Sequence, residues 1–143
     1  MVQIQTTRFG DIAVEDQSVI SVKGGIIGFA RYEKYVIIEH NSESPFFWLQ
    51  AADSPDLAFV IVDPGLFKSD YEVTLSEPIL LDLEVRESQE VAVYVLVTIP
   101  HGRPRDMTAN LLGPLVINTR AKLARQLILD DDRYSHRHPI FSS

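Results

Sequence analysis

The hydrophobic positions of this chain fall in short β-branched and aromatic runs, cut at frequent intervals by turn-forming residues. Residues 2–7 alternate briefly, Gly10 and Asp11 signal a turn, and residues 12–14 and 19–22 read as two further short strands. Residues 35–39, 46–50 and 58–62 are stronger strands. The last lacks polar alternation, which predicts burial on both faces. Residues 71–75 alternate cleanly, with Tyr71, Val73 and Leu75 on one side and Glu72 and Thr74 on the other, and read as a strand. The longest strand, residues 91–99, stops at Pro100, which cannot supply the next ladder donor. Residues 107–112 and 115–118 are two more, split by Gly113 and Pro114. One short helix is expected from Ser76: its hydroxyl can cap free N–H groups, Glu77 suits the positive end, and Pro78 is tolerated in the first turn. Residues 119–129 are ambiguous. Leu123 and Leu127 lie four apart among good helix formers, so the pattern alone predicts a helix there.

About eight short strands against one or two short helices predict an all-β, small, bent-sheet barrel or sandwich. At 143 residues the chain is expected to be a single domain, 1–143, with 130–143 as a polar C-terminal tail. Its expected core comprises Trp48, Phe59, Ile61, Val93, Val95, Val97 and Ile117. The start lacks a basic-then-apolar leader and the apolar runs are far short of a membrane span, so a soluble cytoplasmic protein without a membrane partner is expected.

Charge changes the picture. The formal net charge is −7, and it is unevenly spread. Residues 71–100 hold six acids against Arg86 alone, whereas residues 101–143 carry a net +3. So acidic a chain repels a phosphate backbone, and direct nucleic-acid binding is not expected. An acidic face suits a basic protein partner, and the same acidity also serves solubility.

Candidate chemistry is sparse. There is no Cys, which excludes thiol catalysis, cysteine-held metals and disulfides. The histidines are His40, His101, His136 and His138. No Gly-x-Ser-x-Gly elbow accompanies them, and solvent-exposed polar histidine is the plainer reading. His136 and His138 with Asp130 to Asp132 form a weak metal pattern without calcium-loop spacing. The glycines at 24, 25 and 28 match neither phosphate-binding motif and read as turn geometry. No catalytic residue, cofactor, metal or small-molecule substrate is therefore expected. A hydrolytic or small-molecule-binding barrel would instead show His40 or His101 in a deep pocket beside paired acids. Direct RNA binding would use the basic cluster Arg103, Arg105, Arg120, Lys122, Arg125, Arg133 and Arg137.

Several local patterns then add up: Phe9-Gly-Asp-Ile-Ala-Val14, Gly25-Ile-Ile-Gly-Phe29, Pro45-Phe-Phe-Trp-Leu-Gln50, Phe59-Val-Ile-Val-Asp-Pro64, Ala109-Asn-Leu-Leu-Gly-Pro-Leu-Val-Ile-Asn118, Gln126-Leu-Ile-Leu129 and Tyr134-Ser-His-Arg-His-Pro139. In this order and spacing the chain resembles the FliW family of bacterial flagellar assembly factors. The resemblance implies a small, non-catalytic, barrel-like cytoplasmic protein that binds flagellin. It also implies binding to CsrA, a basic repressor of flagellin translation, which the factor antagonises allosterically once flagellin has been exported. It further implies a hairpin rather than a helix after Asn118, with residues 119–124 as turn and 125–129 as closing strand. That turn carries Ala121 and Ala124 and no glycine. Given a basic partner, the acids Glu72, Glu77, Asp82, Glu84, Glu87 and Glu90 are the expected CsrA surface. Asn110, Leu111, Leu112, Pro114, Leu115, Ile117 and Asn118 are the expected flagellin surface.

Overall fold

In the computed structural model, which describes residues 1–141, the β-branched runs do form ladders. The strands are β1 (Val2–Thr6), β2 (Gly10–Val14), β3 (Ile20–Val22), β4 (Lys34–Glu39), β5 (Phe46–Ala51), β6 (Ala58–Val62), β7 (Val91–Thr98), β8 (Thr108–Ala109), β9 (Leu115–Asn118), β10 (Leu123–Gln126) and β11 (His138–Pro139). Seven of them close a barrel in the order β3-β4-β5-β6-β7-β9-β10 and back to β3. Every neighbour in it is antiparallel except β10 on β3, which is parallel. The fold is thus the expected small all-β barrel with one short helix, α1 (Glu77–Asp82).

Inside the barrel Ile20, Val22, Ile26, Tyr35, Leu49, Ala51, Ile61, Leu115, Ile117 and Ala124 form the main core. Two further layers wrap its outside. Residues 71–85 lay Val73, Leu75, Ile79 and Leu83 against Val91, Val93, Val116 and Leu127. Residues 107–112 and 134–140 lay Ala109, Leu111, Tyr134 and Ile140 against Val62, Val95 and Val97. Apolar side chains are therefore needed on both faces of β6, β7 and β9, which explains why their runs do not alternate. Gly25 is required locally. Its φ is +68°, and a Cβ there would lie 2.8 Å from the Phe29 carbonyl oxygen.

Several expectations need correction. The strand pair β1–β2 stands apart as a two-stranded sheet and does not join the barrel ladder. Its tip is tied down by Thr7, whose N–H donates to the Pro55 carbonyl at 2.9 Å. Residues 71–75 keep their alternation, but no strand pairs with them. They are held instead by the Tyr71 hydroxyl, which donates to the Leu111 carbonyl at 2.6 Å, and by the Glu72 N–H, which donates to the Tyr134 hydroxyl at 2.9 Å. Ser76 makes no side-chain cap on α1; its carbonyl accepts from Ile79 and Leu80. Of residues 107–112 only Thr108–Ala109 is strand. The hairpin after Asn118 is present, but its second strand begins at Leu123, before residue 125. The 130–141 segment is polar yet packed: Tyr134 is buried and β11 pairs with β8.

Of the expected core, Ile61, Val95 and Ile117 are buried. Phe59, Val93 and Val97 are half-buried. Trp48 is also half-buried, because β5 turns it outward. There Phe9 meets its ring edge-on at 6.1 Å, and the Arg8 guanidinium sits 4.1 Å from its centroid.

Val95 lies between the barrel wall and the 107–112 layer with no exposed surface. Val95→Ala is expected to cost about 2–3 kcal/mol, since transfer and cavity terms add. Urea unfolding should show a lower midpoint at unchanged slope; an unmoved midpoint would mean the strand faces another way.

Candidate functional site

The six acids expected to meet a partner occupy one stretch of the outer layer, but they are not equivalent. Glu72, Glu77, Glu84 and Glu87 are exposed. Asp82, closing α1, is already held from both sides. The Lys23 ammonium donates to its carboxylate at 3.1 Å and to its carbonyl at 2.7 Å, and Arg125 donates from the other side at 2.8 Å. These bonds, Lys23 first, hold the Asp82 carboxyl below its ordinary range. Glu90 has only 12% of its side chain exposed. Its carboxylate accepts from the backbone N–H groups of Arg86 and Glu87 and pairs with the Arg120 guanidinium. Those backbone donors, with Arg120 beside them, pull it down to about 2. Asp82 and Glu90 are therefore committed to ion pairs within the chain, and Glu87, though exposed, caps the short turn at 88–90 with its side chain and accepts from the Gln89 amide at 2.8 Å, which leaves Glu72, Glu77 and Glu84 as the uncommitted acids.

Sequence reasoning missed these internal cations. Lys23, Arg120 and Arg125 lie 30 to 59 residues from their acids, with no spacing signal to join them. The pairing also neutralises much of the basic C-terminal third. Arg103 pairs with Asp106, Arg120 with Glu90, Arg125 with Asp82 and Arg133 with Asp131, four of the seven bases counted there. What the sequence also did not signal is Leu81, 71% exposed on α1 beside Asp82, which gives the acidic stretch an apolar centre.

The expected flagellin residues do not form a free surface. Leu111, Leu115 and Ile117 belong to the core clusters, and Pro114 is buried with them. Asn110 and Leu112 are half-buried; the Asn110 side chain accepts from the Leu112 N–H at 3.0 Å. Asn118 is fully buried and acts as a bracket. Its Nδ2 donates to the carbonyls of Leu83 at 2.8 Å and Glu84 at 3.2 Å. Its Oδ1 accepts from the N–H groups of Arg120 at 2.9 Å and Ala121 at 3.1 Å. One side chain thus closes the glycine-free turn and ties it to the acidic loop. Both segments bend through the left-handed region, Glu84 at φ 56° and Lys122 at φ 57°. The motif stands out in the sequence, and most of its side chains are buried within the chain.

Among the described residues no cluster of three or more His, Asp or Glu can hold a metal. His40 lines a hollow of about 190 Å³ with Phe46, Phe47, Trp48, Val60, Ile99 and Met107, and no carboxylate is among the residues lining it. His101 is exposed on the 100–106 loop. No helix is long and apolar enough to cross a membrane among the described residues.

Residues 3–140 match the family model described as FliW protein. The chain is 39% identical to a flagellar assembly factor FliW of Leptospira interrogans, over 99% of this chain and 95% of that protein. It is 41% identical to one of Alkaliphilus metalliredigens, over 96% and 85%. A crystal structure of the flagellar assembly factor FliW superposes with a TM-score of 0.88 at 33% identity, covering 99% of this chain and 98% of that one.

Two outcomes follow from this geometry. Asn118→Ala strands buried backbone groups on both segments and should cost about 2–4 kcal/mol in urea unfolding; near-neutral behaviour would remove its bracket role. Glu90 has a folded value below its ordinary 4.5, so its contribution is fully present above that pH and is lost as pH falls toward 2. The urea midpoint of the wild type should therefore drop more steeply over this window than that of Glu90→Gln. Parallel profiles would show that the carboxylate is not held as described.

Proposed function

The chain belongs to the FliW family, and from that premise we propose that it is a cytoplasmic, non-catalytic flagellar assembly factor serving two protein partners in turn. It binds flagellin while flagellin accumulates. Once flagellin is exported, the freed chain binds the repressor CsrA away from its RNA-binding surface and relieves repression of the flagellin messenger. One observation supports this reading above all: the likeness to FliW runs end to end, in sequence and in barrel topology alike. No inserted domain or altered strand order separates this chain from that family's crystal structure, which it covers at 98%.

The local chemistry favours a protein partner for the acidic stretch. Glu72, Glu77, Glu84 and Glu87 are exposed with no cation within ion-pair distance among the described residues, and Leu81 stands among them. Unpaired rim charges steer a basic partner and set its register, while a central apolar residue supplies contact area. Direct RNA binding is less well supported, because most of the basic cluster is spent on internal carboxylates.

The charge-reversal set Glu72→Lys, Glu84→Lys and Glu87→Lys tests the assignment, each alone and all together. Calorimetry against CsrA at two salt concentrations should show weaker binding and a shallower salt dependence for the triple variant, while urea unfolding shows a loss of no more than about 1–2 kcal/mol, the cost of the Glu87 cap. Unchanged CsrA affinity and salt slope would move the interface elsewhere.

A further inference from the structure

Residues 71–75 alternate as a strand does, yet they enter no ladder. Among the described residues, 72–75 make no backbone–backbone hydrogen bond. Tyr71, Val73 and Leu75 are half-buried and Glu72 and Thr74 are exposed, so no side chain of the segment is fully enclosed. A stretch with free backbone groups and only partial apolar burial belongs to the least stable part of a structure.

What holds it lies at its two ends. At the start, the Tyr71 hydroxyl donates to the Leu111 carbonyl at 2.6 Å, and the Tyr134 hydroxyl accepts from the Glu72 N–H at 2.9 Å. The two rings meet edge-on with centroids 4.7 Å apart. Tyr134 is buried and belongs to the 134–140 layer, not to the segment it holds. At the far end, α1 is fixed by Lys23 and Arg125 on Asp82, and the Asn118 amide donates to the Leu83 carbonyl at 2.8 Å. Several bonds must break together there, whereas the start rests on two tyrosines. Beneath the middle, Val73 and Leu75 pack in one cluster with Val93 of β7, Val116 of β9 and Leu127.

We propose that residues 70–76 are a strap, hinged at α1, that opens from its tyrosine end while the barrel stays folded, and that Tyr134 is its latch. Opening bares the apolar outer wall of β7 and β9 and carries Glu72 away from its place in the acidic stretch. The 134–140 layer thereby governs a surface it does not itself form. Seating Tyr134 closes the wall and sets Glu72; displacing Tyr134 releases both. The inference stands on the fold and holds whichever partner the acidic stretch receives.

The chain has no cysteine, so a single introduced thiol reports on opening without background. Val116→Cys places it in the cluster under the strap, and Val22→Cys places it inside the barrel, both at positions with no exposed surface. Labelling of the folded protein with dithiobis(nitrobenzoate) is followed at rising, sub-denaturing urea. The thiol at 116 should react at least about tenfold faster than the thiol at 22 and depend less on urea, because a local opening exposes little surface. Tyr134→Phe should speed the reaction at 116 about fivefold to tenfold, the loss of one hydrogen bond, and keep its shallow urea dependence. Lys23→Met, at the hinge, should leave the rate at 116 within about twofold, since that end stays closed. Leu127→Cys, buried in the same cluster, repeats the measurement should Val116→Cys fail to fold. Equal rates and equal urea dependence at 116 and 22 would mean that the strap parts only with the whole barrel, and the proposal falls. An unchanged rate in Tyr134→Phe, or an equal acceleration by Lys23→Met, overturns the latch and the hinge.

Discussion

Everything in this molecule depends on one short parallel seam. A sheet this strongly bent escapes exposed edges only if its ends meet. They meet where Leu123 faces Ser21 and Ala124 faces Val22, two residues of β10 against two of β3, about a hundred positions away in sequence. The Ser21 N–H donates to the Lys122 carbonyl at 2.9 Å, and the Lys23 N–H to the Ala124 carbonyl at 2.8 Å. Lys122 is one of two non-glycine residues in the left-handed region among the described residues, so the bend of the hairpin and the closing bond fall on the same residue. Asn118 holds that bend from inside, which is why a polar side chain is fully buried in an otherwise apolar strand.

The seam also organises the charges. Lys23 follows β3 and Arg125 lies on β10, so closure brings their side chains together at the end of α1, where both reach Asp82. Arg120, in the turn, reaches Glu90 in the loop before β7. The outer layer is therefore clamped to the barrel by ion pairs at two points, with Leu83 buried between them. Partly exposed pairs contribute modestly to stability. Their effect here is registration: they fix which carboxylates are paired within the chain and which stay exposed.

This division marks what the sequence could convey. Strands β4, β5, β6 and β7 were legible because β-branched and aromatic residues dominate them, and the short helix because Glu77 and Pro78 suit a first turn. Burial was harder to read. In a barrel wrapped by a second layer, apolar residues belong on both faces, so alternation no longer tells inside from outside. Trp48 looked like core and faces outward under Arg8. The 71–75 run alternates as a strand does because one side packs on β7 and β9, although it has no ladder partner. Helix propensity in 119–129 gave way to barrel closure, which only long-range pairing can express. At the candidate surface the acids could be counted from sequence, but not their pairing, since ion pairs 30 to 59 residues apart leave no local trace.

If the chain takes two partners in turn, as proposed, the fold limits how one could displace the other. A specific interface covers about 800 Å² on each side, roughly a tenth of the 8699 Å² exposed here. The acidic stretch thus takes up a small part of the surface, and a second footprint of that size fits elsewhere on the barrel. β7 runs beneath much of that surface: Val91 and Val93 lie under the acidic layer, and Ile99, just past the strand, borders the apolar hollow. Exclusion by transmitted change would need β7 to favour one partner over the other by about 3 kcal/mol for a hundredfold effect. Such a shift requires two arrangements of similar energy. β7 is instead ladder-bonded to β6, β8 and β9 and packed on both faces. A strand so constrained transmits little, because packed interiors do not deform continuously.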